Sequence, residues 1–197
     1  MNSSLPRLIL ASASPRRKAL LSQTGLPFDI CASDADESAS GKPEEMVKTL
    51  ALRKACSVAA SFENEWIIGA DTLVSVDDKA LGKPSSEQEA FEMLSSLSGR
   101  SHEVYTGVCL LDSSSKKYDL HVFVSHVFFR SLTPGEIARY IATGEPMDKA
   151  GAYAIQGGAG AFVERFEGSY NNIVGFPTDE FLEMYRHFPE LLTKEKP

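Results

Sequence analysis

An α/β fold with a mixed, partly antiparallel twisted sheet flanked by helices is what this sequence predicts, and three observations carry that reading. Short apolar runs alternate with segments of helical spacing along most of the chain. One pair of long Val- and Phe-rich runs flanks a Ser-rich turn, the pattern of an antiparallel hairpin. The balance of 43% hydrophobic to 24% charged residues over 197 positions is that of a folded domain with a core of its own. No internal repeat, low-complexity linker or domain boundary is visible, so residues 1–197 are taken as a single domain.

The elements follow in order. Residues Arg7 to Ser12 form a short buried strand, and Ser14 with Pro15 supplies a cap and first position for a helix that Gly25 stops. Phe28 to Cys31 predicts a second strand, followed by a polar loop from Asp34 to Lys42. Pro43, with Glu44 and Glu45 in the first turn, opens a long amphipathic helix on which Val47, Leu50, Lys54, Val58 and Phe62 recur. Trp66 to Ala70 is an apolar run that ends at Asp71, and Leu73 to Val76 continues toward a turn at Asp77 and Asp78, a strand-and-hairpin signal. Ser86 and Glu89 form a capping box for a helix through Leu97. The hairpin comprises Glu103 to Leu111 and Lys117 to Phe129. Thr133, Pro134 and Glu136 open a further helix, ended by Gly144, and a Gly- and Ala-rich loop runs from Glu145 to Gly160. Ala161 to Phe166 predicts a strand and Thr178 to Phe188 a closing helix, with a Lys-containing tail after Leu192 expected to fray.

Charge and composition exclude several classes. A net charge of −7 opposes binding to DNA, RNA or an acidic bilayer, yet leaves room for a small anion at a local basic cluster. No run approaches the roughly 18 apolar residues of a membrane span. The three cysteines, Cys31, Cys56 and Cys109, are widely spaced, without a CxxC pair, and read as reduced packing residues of a cytoplasmic protein. His102, His121, His126 and His187 lack zinc-site spacing, and there is no GxSxG elbow.

Four segments carry chemistry. In Ser12 to Arg17, SASPRR, the cations Arg16 and Arg17 stand at a helix N-terminus, where the helix field opposes them by roughly 0.3–1 kcal/mol each unless an anion sits between. A solvated basic turn is the alternative. In Gly69 to Thr72, GADT, an aspartate follows an apolar strand, where Asp71 is a proton acceptor, a Mg²⁺ ligand or a turn cap. LGKP offers Lys83 to phosphate beside Gly82, but it is not a Walker A loop; GGAGAF likewise fails GxGxxG. In the loop Met147 to Gly158, Gln156 offers a donor and an acceptor to a pyrimidine edge or simply faces water. Composition alone makes Lys54 a snorkelling surface lysine.

Laid end to end, RLILASASPRR, GADT, LGKP, LSGRSHEVYTGV, EPMDKAGAYAIQG and YNNIVGFP resemble the Maf family along nearly the whole chain. The resemblance implies a mixed-sheet fold like that of the inosine triphosphate pyrophosphatases, with a cleft between two lobes, and a dimeric cytoplasmic enzyme that needs a divalent cation, Mg or Mn. Its implied activity is cleavage of a nucleoside triphosphate to the monophosphate and pyrophosphate. By position, Asp71 matches the proton acceptor and, with Glu37, a metal site. Ser12, Arg17, Lys54 and Lys83 match phosphate-binding positions, and Arg16, Thr72 and Gln156 match those that distinguish substrates. Arg16 with Gln156 resembles the branch acting on dTTP and UTP. A nucleotide-binding regulator of cell division without essential turnover is the alternative.

Overall fold

The computed structural model describes residues 6–193; of the tail expected to fray after Leu192, Thr193 ends the last helix and residues 194–197 lie outside the described residues. Seven strands form one sheet: β1 (Leu8–Leu10), β2 (Phe28–Ile30), β3 (Trp66–Val76), β4 (Lys79–Leu81), β5 (Ser101–Asp112), β6 (Tyr118–Phe129) and β7 (Val163–Glu167). Six helices surround it: α1 (Pro15–Ser22), α2 (Pro43–Ala59), α3 (Glu87–Leu97), α4 (Pro134–Ile141), α5 (Tyr170–Val174) and α6 (Thr178–Thr193). The path β2-β1-β3-β5-β6-β7 is parallel up to β3 and antiparallel from there on, as the alternation and the long hairpin predict.

Strand β3 governs where a cleft can open. One of its edges is paired with β5 from Trp66 opposite Asp112 to Ser75 opposite Glu103. The other edge serves two neighbours in turn: β1 lies beside Trp66 to Ile68, and β4 returns beside Val74 to Val76. Between these pairings the sheet forks. The chain leaving β1 runs into α1, and the chain leaving β4 runs into Gly82 and Lys83, so both segments flank the stretch of β3 that carries Asp71 and Thr72. The reversal at Asp77 and Asp78, both at positive φ, is tight enough to bring β4 back.

Strand alternation then assigns the faces. Trp66, Ile68 and Ala70 pack with Leu20 and Leu21 of α1 and Phe181 and Phe188 of α6; Ile67 packs against Ala51, Ala55 and Val58 of α2. Asp71, two steps beyond Gly69, therefore faces α2, while Thr72 faces the opposite side. A third cluster lies under α3 and α4, where Val74, Val76, Val104 and Phe129 meet Leu94, Leu97, Ile137 and Tyr140. Helix α2 crosses β3 and β5 at backbone contact distance: a Cβ at Gly69 would lie 2.1 Å from Ala51 O, and one at Gly107 2.4 Å from Val47 O. Gly107 is also the β5 partner of Asp71.

Local chemistry departs from expectation in a few places. Thr133 and Glu136 complete their capping box, but at α3 only Ser86 caps; Glu89 accepts instead from Ser85, one residue further out. Residues 145–162 are wound into three 3₁₀ turns, and β7 starts at Val163, later than Ala161. Helix α5 is five residues long, too short to show a period, and α6 continues through Pro189 to Thr193. Cys109 is buried and Cys31 half-buried, whereas Cys56 is exposed, so packing does not account for all three cysteines.

The crossing of α2 sets a test. Gly69→Ala places a methyl against the Ala51 carbonyl, and overpacking of this kind costs about 1–3 kcal/mol. Urea unfolding should therefore show a clear loss for Gly69→Ala. Gly82→Ala, where a Cβ meets nothing within 4 Å, should change stability by about 0.5 kcal/mol or less. Equal midpoints for the two variants would refute the close crossing.

Candidate active site

The fork in the sheet opens into a cleft of about 590 Å³ whose lining includes Ser12, Arg16, Arg17, Glu37, Lys54, Asp71, Thr72, Lys83 and Gln156. Every candidate site residue singled out from the sequence thus meets in one place, although they come from six separate segments.

The α1 end is built by local capping. Ser14 caps the helix by accepting from the Arg17 amide at 3.4 Å, and Ser12 Oγ accepts from the Ser14 amide at 3.2 Å. This geometry turns Arg17 inward. Its Nη1 donates to Ser12 Oγ (3.3 Å), its Nη2 to Thr72 Oγ1 (3.2 Å) and its Nε to the Gly175 carbonyl (3.1 Å). Three of the five N–H groups of a guanidinium are thereby committed, leaving two for an anion. Thr72 Oγ1 also lies 3.0 Å from Thr106 Oγ1, so α1, β3, β5 and the end of α5 are tied through one arginine. Burial lowers the Arg17 pKa from its ordinary value, with Asp71 acting in the opposite sense. Arg16 is half-buried on the cleft wall.

Lys54 defines the α2 side. Its residue exposure is only 8%, so the surface-lysine reading from composition does not hold. The ammonium lies 2.7 Å from Asp71 Oδ1 and 2.8 Å from Glu37 Oε1, bridging a 9% exposed aspartate on the sheet to an exposed glutamate of the polar loop. The hydrogen bond and charge of Lys54 hold the Glu37 carboxyl below its ordinary pKa, with smaller help from Lys83 and Arg17. Among the described residues, Lys54 is the one hydrogen-bond partner of the Asp71 side chain, which leaves Oδ2 able to take a proton.

The far end of the cleft is formed by the 3₁₀ segment, with Asp148, Lys149, Tyr153 and Gln156. Lys149 pairs with Asp148, whose pKa it lowers. The Gly151 amide donates to the Gly82 carbonyl at 3.0 Å, docking this segment onto the loop of Lys83. Tyr153 OH lies 2.8 Å from Nε2 of His102, which is fully buried in β5, and burial holds that imidazole down at about 4. The sequence carries no signal for the His102–Tyr153 pair, since 51 residues separate the two and the histidines have no zinc-site spacing. Among the described residues, no group of three or more His, Cys, Asp or Glu side chains is arranged to hold a metal.

A forked α/β sheet whose crevice sets Lys54 and Arg17 about β3 beside an ion-paired aspartate is the kind of crevice in which open α/β sheets bind their ligands. The chain belongs to the Maf family: the family's model, described as Maf-like protein, matches residues 7–188. Named relatives include the dTTP/UTP pyrophosphatase of Pelotomaculum thermopropionicum, 48% identical over 93% of this chain and 97% of the relative. The protein of the same name from a Geobacillus species is 52% identical over 88% and 93%, and that of Geobacter sulfurreducens 48% over 94% and 98%. Among the described residues, no helix is long and apolar enough to cross a membrane.

Burial of His102 generates a pH effect with a definite sign. An unfolded His binds its proton near 6.5, whereas in the fold it stays neutral down to about 4. Between these values the unfolded chain binds more protons, so stability falls as pH drops from 6.5 to 4, by up to about 3 kcal/mol. Wild-type urea midpoints should fall more steeply than those of His102→Gln across this window. Parallel curves would exclude the buried neutral imidazole.

Proposed function

We propose that the protein is a nucleoside triphosphate pyrophosphatase that hydrolyses dTTP and UTP to the monophosphate and pyrophosphate. One observation carries the reading: a single cleft sets the Lys54-bridged carboxylates Asp71 and Glu37 against the cationic start of α1 and the Lys83 loop. The names of relatives at about half identity over nearly the full length support the same activity.

In this reading the triphosphate lies along the cleft from α1 to Lys83. Arg16, the two free N–H groups of Arg17, Ser12 and Lys83 offset its charge, so that cations at a helix start no longer oppose the helix field. Asp71 accepts the proton of a water directed at the α-phosphorus, and the bond to pyrophosphate breaks as the new P–O bond forms. Lys54 orients Asp71 and balances its charge. Arg16, Thr72 and Gln156 distinguish the nucleoside, with the Gln156 amide meeting the pyrimidine edge.

The carboxylates fit a divalent cation carried by substrate. Mg²⁺ is commonly held by one or two carboxylates with phosphate oxygens completing its shell, and Glu37 with Asp71 provides that number. Mg²⁺ or Mn²⁺ bound there would lower the pKa of water and screen the phosphates. A cytoplasmic homodimer acting on free nucleotides, not on a nucleic acid or a membrane, completes the proposal; the charge of −7 supports the absence of polyanionic partners.

With dTTP and Mg²⁺, purified protein should release pyrophosphate, not orthophosphate. Asp71→Asn should lower kcat by about 10²–10⁴ while dTTP still binds. Unchanged turnover in that variant would remove Asp71 from its role, and a preference for purine triphosphates would overturn the assignment of Gln156. Binding of dTTP without turnover by the wild type would instead favour a nucleotide-sensing regulator.

A further inference from the structure

Gln156 is exposed, and among the described residues its side chain has no hydrogen-bond partner, so nothing attached to the amide itself fixes where it points. What is fixed is the turn beneath it. Gly157 N donates to Ala154 O at 3.0 Å, closing a four-residue turn with Gln156 at its third position. The two ends of this turn are held by side chains from α4 and the residues just after it. Before the turn, Ala154 N donates to Tyr140 OH at 3.1 Å; after it, Gly158 N donates to Glu145 Oε2 at 3.0 Å. Glu145 also lies flat against the backbone next to Gln156, since a Cβ at Gly157 would fall 1.5 Å from its Oε1. A third anchor is the His102–Tyr153 bond, one residue before Ala154.

We propose that Glu145 and Tyr140 are positioning residues for nucleobase selection: they hold the 154–157 turn so that the Gln156 amide meets the pyrimidine at a set distance and angle. The inference rests on the reading that Gln156 faces the base. Neither Glu145 nor Tyr140 lines the cleft, so both act through the turn and not on the nucleotide. Directional hydrogen bonds to a base discriminate only when donor and acceptor are held in place, and a displacement near 1 Å can cost about 10²-fold. Glu145 is well suited to the task because a carboxylate accepts strongly from an amide at close range.

The test compares Glu145→Ala, Glu145→Gln, Tyr140→Phe and Gln156→Ala, measuring kcat and KM for dTTP, CTP and dATP, with thermal midpoints alongside. Glu145→Gln keeps an acceptor oxygen for Gly158 N and should preserve the preference for dTTP within about twofold. Glu145→Ala should lower the dTTP:CTP and dTTP:dATP ratios of kcat/KM by about tenfold or more, mainly through a higher KM for dTTP, with kcat within about threefold. Tyr140→Phe keeps its ring packing and should shift the ratios in the same direction. If Gln156→Ala loses selectivity while Glu145→Ala and Tyr140→Phe retain it, the positioning role is overturned and the reading of Gln156 stands. If Gln156→Ala itself keeps full selectivity, both fall. A uniform loss of kcat on all three nucleotides in Glu145→Ala, not rescued by glutamine, would mark a purely structural residue and also overturn the proposal.

Discussion

A lysine ammonium held between two carboxylates is the interaction on which the cleft depends. Lys54 is nearly buried, and a charge taken out of water costs several kcal/mol unless it is paired and hydrogen-bonded. Asp71 and Glu37 supply that pairing from opposite sides, one on the rigid sheet and one on the polar loop. The triad therefore does two things at once. It ties the polar loop of Glu37 to the sheet, and it fixes the direction in which the Asp71 carboxylate points. Lys54 reaches that position only because α2 lies on the sheet at backbone distance, which Gly69 and Gly107 permit.

Arg17 plays the matching part on the other face of β3. Strand alternation sends Asp71 and Thr72 to opposite sides, and each meets a cation: Lys54 on one side, Arg17 on the other. The hydroxyls of Thr72, Thr106 and Ser12 and the Gly175 carbonyl orient the guanidinium before any ligand arrives. Ordering costs are thus met in folding, which is the condition for electrostatic groups to act effectively in a site.

Much of this was legible in the chain itself. Caps at Ser14, Ser86 and Thr133, the Asp-Asp turn and the long hairpin are local signals, and local chemistry decides them. The cleft residues were legible because each stands in a short segment of unusual composition and because the segments together resemble one family. What escaped was decided by distant partners. Lys54 sits on an amphipathic helix like any surface lysine, and only the approach of α2 to β3 buries it. The pairing of His102 with Tyr153 spans 51 residues and has no spacing rule. Helix α5 depends on Asn172, whose amide bonds to Val104 O and Ser125 Oγ across the sheet. Glu89 chose Ser85 over Ser86 through a one-residue difference in geometry that no motif encodes.

The backbone bond from Gly151 to Gly82 joins two loops that line the cleft, one bearing Lys83 and the other leading to Gln156. Because each loop is braced against the other, the span between a cation and an amide is set like the jaws of a caliper. A ligand that engages both groups therefore meets a separation that folding has set in advance.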